Sequence, residues 1–299
     1  MNKVAAVVVT YNRIDLLKEC LSHLKEQTVP LDVLIVDNAS TDGTDELFKE
    51  QQEGLIYFNT GANLGGAGGF NYGMRKAVEL GYEYVWVMDD DTLPKPTALE
   101  KLLEADKKLE GNYGWLSSLV LWKDGTECKM NRQKIKPKEF AYFHLLEFGI
   151  INAEQASFVS LFLKATTIKQ FGLPIKEFFI WGDDIEFTRR LCVREKLPCF
   201  LVGESVAVHA MANNTGSNIA SDVPERVTRY KYAFRNEAYL YRKEGLKGIV
   251  YYLAKCAKHF LQIVFKAKSK RILRLNILLS SIIKGMLFNP KIEYIDKQI

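Results

Sequence analysis

Residues 84–91, YVWVMDDD, decide how the fold is read. Tyr84–Met88 is an apolar run of strand length, and Asp89, Asp90 and Asp91 end it. Adjacent like charges repel, so a strand with this ending needs positive charge beside it. A divalent cation meets that need economically, because Mg and Mn favour oxygen ligands and often bridge to phosphate. The competing reading is a solvated loop whose Asp side chains cap the next helix.

Outward from this stretch, the same pattern of strand then polar cluster recurs upstream. Lys3–Thr10 runs into Thr10-Tyr11-Asn12, Val33–Val36 is closed by Asp37, and Leu55–Phe58 leads to Asn59–Asn63. Between the strands, Leu16, Leu17, Cys20, Leu21 and Leu24 fall at helical spacing. Thr41–Gln52 reads as a second helix with an acidic start, and a glycine-rich loop opens a third that runs to about Leu80. This alternation predicts a mostly parallel sheet with helices on both faces. Ligands of such sheets bind beyond the carboxyl ends of the strands, where these polar clusters sit. Further on, Trp115–Leu121, Ser157–Leu163 and Phe200–His209 read as strands and Asp183–Arg194 as a helix. Pro224 opens another helix that continues to Lys243. The stretch 123–155 gives little to assign.

With 299 residues, 47% hydrophobic and 26% charged, the chain is neither a disordered tail, nor a collagen-like fibre, nor a disulfide-stapled mini-protein. Its five cysteines are scattered with no C-x-x-C pair, which argues against a zinc ribbon or a disulfide framework and for reduced thiols in the cytosol. The opening MNKVAAVVVTYN reads as a buried strand rather than a signal peptide. No run of about 18 apolar residues is free of charge, so no segment reads as membrane-spanning. The net charge of +5 is split unevenly. Residues 245–299 hold eleven Lys and Arg against Glu293 and Asp296, a net +9, which leaves −4 for the body. Such a split fits a catalytic body with an anion-seeking appendage.

Four further clusters carry candidate chemistry. In DNASTDGT (37–44), Asp37 can accept hydrogen bonds from a base or ribose, while Ser40 or Thr41 can cap the following helix. In GANLGGAGG (61–69), glycines can admit a phosphate to a helix amino end, or simply make a tight turn. It is neither a P-loop nor a dinucleotide fingerprint. In FIWGDDIEF (179–187), an acidic pair lies beside an aromatic; a carboxylate there can act as general base or merely cap a helix. His209 closes an apolar strand and becomes a metal candidate only if it meets the Asp cluster in space.

Together these residues resemble the family 2 glycosyltransferases, inverting nucleotide-sugar transferases of the GT-A fold. The resemblance rests on VVVTYNR, VDNASTDGT, NLGGAGGFNYG, MDDD, WGDDIEF and the later His, and covers roughly residues 3 to 210. The combination of NLGGAGGF, DDD and WGDDIE is most similar to the bacterial galactofuranosyltransferase branch, and rhamnosyltransferases share much of it. The implied fold is α/β: a Rossmann-like mixed sheet flanked by helices over 1–222, with a helical, basic extension over 223–299. The resemblance implies nucleotide-sugar binding by Thr10, Tyr11, Arg13, Asp37, Asn63, Gly65, Gly66, Asp89 and Asp90. It implies a divalent metal, Mn2+ or Mg2+, on Asp89, Asp91 and His209, with the sharing of duties within Asp89–Asp91 open. Asp184 is implied as catalytic base, with Trp181 and Asp183 on the acceptor side. Inverting transfer suits this set, since a metal stabilises the leaving diphosphate and one base suffices, whereas a hydrolase needs a flanking carboxyl pair.

The stretch 249–288 interleaves apolar clusters with Lys and Arg, which reads as amphipathic helices on an anionic membrane surface or as a helical subdomain packed on the body or a partner copy. Nucleic acid is a poorer partner, because the aliphatics need burial. The expected protein is a cytoplasmic transferase, peripheral on the inner face of the membrane and open to homo-oligomerisation. It would move galactofuranose from UDP-galactofuranose to a lipid-linked, cell-surface saccharide. The alternatives are a dTDP-rhamnose-dependent enzyme and a non-catalytic nucleotide-sugar or membrane-binding protein. A Rossmann dehydrogenase is disfavoured by the missing glycine fingerprint after the first strand.

Overall fold

The computed structural model describes residues 3–50, 52–135 and 142–295. Residue 51 of the expected second helix and the last four residues of the 223–299 extension lie outside them. The chain opens with β1 (Val4–Thr10), α1 (Ile14–Lys25), β2 (Asp32–Asp37), β3 (Leu55–Asn59), α2 (Gly65–Glu79) and β4 (Tyr84–Asp89). It continues with β5 (Thr92–Pro94), α3 (Ala98–Lys108), β6 (Leu116–Trp122), β7 (Lys134–Ile135), β8 (Ile150–Gln155), β9 (Leu161–Lys164), α4 (Ala165–Phe171), α5 (Asp183–Arg189) and β10 (Phe200–His209). Four helices close it: α6 (Pro224–Val227), α7 (Tyr230–Lys243), α8 (Leu246–Lys266) and α9 (Arg271–Leu287).

The strands form one mixed sheet in the order β3-β2-β1-β4-β9-β6-β10-β8-β7, with β5 paired to β10. β3, β2, β1 and β4 are parallel, as the βαβ pattern demands. β9 enters antiparallel between β4 and β6. The strand order reverses beside β1, so the crevice beyond the ends of β1 and β4 is where such a sheet binds ligands.

Strands buried on both faces alternate their side chains between two cores. Ala5, Val7 and Val9 pack with Phe70 and Met74 of α2 and with Phe187 of α5. Val4, Ala6 and Val8 pack with Leu17, Cys20 and Leu24 of α1 and with Leu99 and Leu102 of α3. Each Val, Leu, Phe or Met side chain among them, wholly buried, contributes roughly 1.5–3 kcal/mol. The glycines of α2 serve this packing: a Cβ on Gly69 would lie 2.5 Å from Val9 Cγ1 and one on Gly73 2.4 Å from Val7 Cγ1. The glycine run is therefore in part a close-packing device.

Several local expectations change, among them the helix expected from Pro224 to Lys243, which divides into α6 and α7. The helix expected over 41–52 shrinks to one 3-10 turn at Thr44–Phe48. Asp42 accepts from Thr44 N and Thr44 Oγ1, and also from Ile14 N at 3.0 Å, so it ties the loop to the start of α1. Ser40 and Thr41 do not cap a helix either. Ser40 Oγ accepts from Asn12 N, and Thr41 N donates to Asn12 Oδ1. The strand expected over 157–163 starts only at Leu161, because Ser160 turns to φ +59°. The helix expected over 183–194 is α-helical to Arg189 and widens to a π turn over Arg190–Arg194.

The last helices make a third core. Tyr230, Phe234, Ala238 and Leu240 of α7 meet Tyr252, Cys256 and Ile263 of α8 and Leu278 of α9, and Trp181 and Ile185 pack against them. The helical extension thus rests on the segment that carries the acidic pair.

Candidate active site

The Asp triplet reaches past the end of β4 into the crevice. Thr10, the last residue of β1, donates from Oγ1 to Asp90 Oδ2 at 2.7 Å. Arg13 Nη1 donates to Asp90 Oδ1 at 3.2 Å and to Asp91 Oδ2 at 3.1 Å. The chain then turns at once into β5, which pairs antiparallel with the end of β10, Thr92 opposite His209. That hairpin-like register brings His209 Nε2 to 3.0 Å from Asp91 Oδ1 across 118 residues of sequence. Asp89, Asp91 and His209 each offer one ligand atom, all within 4.8 Å of one another.

The electrostatics of the cluster follow from burial. Desolvation first, then the charge of Asp91, pushes Asp89 up to about 7. Burial lifts Asp90 to about 6 against the pull of Arg13 and Thr10. Asp91 is also pushed up by burial, but the His209 hydrogen bond and the charges of His209 and Arg13 outweigh this and hold it below its ordinary value. Burial favours the neutral ring of His209, yet its hydrogen bonds and the charges of Asp91 and Asp89 raise it to about 10. The site therefore attracts positive charge, which the Arg13 guanidinium meets on one side only.

A cation fits the same donor set, since two carboxylates and one imidazole suit Mn2+ or Mg2+. The outer contacts fit too. Asn131 Oδ1 lies 2.6 Å from His209 Nδ1, while Asn131 Nδ2 donates to Ser157 Oγ at 2.7 Å. With an amide oxygen facing it, Nδ1 must be the donor, which leaves the Nε2 lone pair for a cation. Asn131 lies in the stretch the sequence left unassigned, and no local pattern marks it.

The acidic pair begins α5. Asp183 is buried, and desolvation followed by the charges of Asp184 and Asp89 pushes it well above the carboxylate range. Burial lifts Asp184 to about 6, and its Oδ1 accepts from Ile185 N at 2.7 Å. The preceding loop is bent sharply, with φ near +64° at Phe179 and Trp181 and +87° at Gly182. Such backbone persists only where its surroundings hold it. Here the holder is Asn236 of α7, wholly buried, whose Nδ2 donates to the carbonyls of Phe178 (3.0 Å), Ile180 (3.3 Å) and Trp181 (2.7 Å). Arg235 adds bonds to the carbonyls of Glu177 and Phe178. From the other side, Ala67 N at the start of α2 donates to Phe179 O, and Gly65 at φ +70° has no room for a Cβ, which would meet that oxygen at 2.1 Å. Trp181 lies edge to face with Tyr230 at 5.1 Å, and the Arg226 guanidinium sits 5.7 Å from its ring centre.

The remaining candidates are placed as follows. Tyr11 is exposed at the end of β1. Asp37 is wholly buried and already accepts from Ser40 N at 2.9 Å and Tyr57 OH at 2.6 Å, so a base or ribose reaching it would share those oxygens. Asn63 Oδ1 accepts from Gly65 N at 2.8 Å and closes the turn before α2. A Cβ on Gly66 would meet nothing within 4 Å.

Comparison with known proteins agrees with this geometry. Residues 5–147 match the Glycosyl transferase family 2 domain. The chain is 28% identical over 264 residues to the galactofuranosyltransferase GlfT1 of Mycolicibacterium smegmatis, covering 83% of this chain and 85% of that one. Among solved structures, GalNAc-T7 with UDP, GalNAc and Mn2+ superposes with a TM-score of 0.65 at 12% identity, over 96% of this chain and 56% of that one. TarS of S. aureus superposes with a TM-score of 0.53 at 15% identity, over 96% of this chain and 44% of that one. The chain thus spans about half the length of these two solved proteins, and the likeness to them is one of fold.

Proposed function

We propose that the chain, whose residues 5–147 match the Glycosyl transferase family 2 domain and which is 28% identical to a galactofuranosyltransferase over most of both chains, is a family 2 glycosyltransferase that moves galactofuranose from UDP-galactofuranose, with inversion, onto a lipid-linked saccharide. The observation that carries the sugar is the similarity, over most of both chains, to a protein named a galactofuranosyltransferase. Asp89, Asp91 and His209 would hold Mn2+ or Mg2+, in keeping with their mutual spacing. The cation, when bound, neutralises the charge that develops on the departing diphosphate. Thr10 and Arg13 hold Asp90 and Asp91 in place, so that little rearrangement would be needed for Asp91 to hold a cation. Tyr11, Asp37, Asn63, Gly65 and Gly66 line the nucleotide side around the ends of β1, β2 and β3. Asp184 takes the proton of the acceptor hydroxyl as its oxygen bonds to the anomeric carbon and the diphosphate leaves from the opposite face. A carboxylate lifted by burial to about 6 is a stronger base than an exposed one and is still ionised at neutral pH. Trp181 and Asp183 shape the acceptor side.

The donor is tested with a panel of UDP- and dTDP-sugars, reading diphosphate release in the presence of a lipid-linked acceptor. UDP-galactofuranose is the expected substrate. Exclusive use of dTDP-rhamnose overturns the sugar assignment and leaves the family standing.

The same reading puts the enzyme at the inner face of a membrane. Among the described residues no helix is long and apolar enough to cross one. Residues 246–287 contain nine Lys and Arg and no Asp or Glu, while Leu253, Leu261, Phe265, Ile272, Ile283 and Leu287 stand exposed on α8 and α9. Apolar side chains interleaved with cations fit peripheral binding to anionic lipid, and each basic group near the surface contributes about 1 kcal/mol. The full chain should pellet with anionic vesicles, less so at high salt, and the Phe265→Asp/Leu287→Asp double variant should stay in solution. Equal pelleting of the two leaves α8 and α9 as an oligomerisation or packing face.

A further inference from the structure

A cavity of about 200 Å³ opens where α7 and α8 meet the start of α5, with Gly182, Ile185, Glu237, Tyr241, Tyr251 and Lys255 in its lining and Lys134 and Gln155 on the sheet side. Gly182 and Ile185 bracket the acidic pair in sequence, so the cavity lies against the segment that carries the pair, although neither Asp183 nor Asp184 lines it. We propose that this cavity is a saccharide subsite that holds an uncharged sugar ring of the acceptor. The inference rests on the transferase reading above and adds the place and chemistry of acceptor recognition.

Charge decides the class of ligand. Lys134 pairs with Glu154 and Lys255 with Glu237, so the cations at the rim are already neutralised and the cavity does not select an anion. What remains is hydrogen-bonding capacity and aromatic surface. Glu237 Oε2 is buried and has no hydrogen-bond partner, while Oε1 accepts from Lys255 Nζ at 2.6 Å. A buried carboxylate oxygen without a donor is costly, and a sugar hydroxyl is a donor of the right kind. Tyr241 and Tyr251 stand 4.9 Å apart with their planes tilted by 57°, which offers an apolar face to the C–H side of a ring together with two phenol groups at its edge. Part of the wall comes from the extension: Glu237, Leu240 and Tyr241 from α7, and Tyr251 and Lys255 from α8.

The test uses the purified full chain and octyl β-galactoside, octyl β-galactofuranoside and octyl α-rhamnoside as probes, with binding read by saturation-transfer NMR. Saturation of ring protons in at least one glycoside is expected. Glu237→Gln and Tyr251→Ala should each weaken that binding about 5- to 10-fold, the loss of one hydrogen bond or one stacked face. UDP affinity should not change in either variant. Tyr251 is 54% exposed, so its variant folds even if Glu237→Gln does not. Unchanged ring saturation in Tyr251→Ala, or saturation of the alkyl protons alone, overturns the subsite. If ring binding and its loss behave as expected but no UDP-sugar is turned over with any glycoside, the subsite stands and the transferase reading of the substrate falls.

Discussion

Asp91 and Asp184 both belong to runs of adjacent carboxylates at the edge of the same sheet, and their surroundings differ in kind. Asp91 has Arg13 on one oxygen and His209 on the other, and against the effect of burial they hold it below its ordinary value. Asp184 is met by backbone N–H groups, and burial raises it to about 6. A carboxylate surrounded by fixed positive charge cannot take up a proton during a reaction, but it can hold a cation. A desolvated carboxylate with only N–H partners can accept a proton and is a poor cation ligand. The two acidic runs thus differ in environment, one suited to holding a cation and the other to accepting a proton, although their sequences look alike.

The comparison breaks most severely at the first run. Chelation with EDTA should abolish transfer and Mn2+ or Mg2+ should restore it, while Asp91→Asn should lower kcat by about 1,000-fold or more, the several kcal/mol a bound cation supplies. Full turnover in metal-free buffer would remove the binding role altogether. At the second run, Asp184→Asn should cost about 100-fold or more in kcat with UDP binding retained. Because the folded value is raised and the ionised form is the base, wild-type kcat should fall as pH drops through about 6 and level off above it. An inactive Asp183→Asn beside an active Asp184→Asn would transfer the proton-accepting role to the neighbour.

Smaller effects sharpen the contrast. Asn131→Ala frees His209 Nδ1 and should weaken metal affinity roughly 10- to 100-fold, with activity recovered at high Mn2+. Titration of activity against Mn2+ checks this, and an unchanged midpoint would show that the His tautomer is set by other contacts. Asn236→Ala removes the side-chain donor shared by three carbonyls before Asp183. It should lower kcat by about 10-fold and leave the Mn2+ midpoint alone, since it supports only the second run. A shift in metal dependence instead would mean that the two runs are mechanically coupled.

The alternation of strands and helices over the first 90 residues was legible because it is local. Period-two and period-3.6 patterns report which faces are buried, and the polar residues that follow each strand mark the carboxyl edge of the sheet. The Asp triplet, the acidic pair and His209 were all found as residue types in a suggestive order. What local pattern could not supply was partnership. Ser40, Thr41 and Asp42 have the composition of a helix start, yet they bond to Asn12 and Ile14 across 28 or 29 residues, and the expected helix gives way.

The sequence by itself determined the parallel α/β core and the supply of carboxylates at its edge, since burial pattern and strand-end chemistry are written into neighbouring residues. Only the tertiary structure decided which groups each carboxylate meets. The β5–β10 register seats His209 against Asp91, Asn131 orients the ring, and Asn236 reaches from a helix more than 50 residues later to hold the bend before Asp183 and Asp184. The physical reason is that a carboxylate's proton affinity depends on the charges and dipoles within a few ångströms of it. In this chain those neighbours come from parts of the sequence that meet only when the sheet is complete.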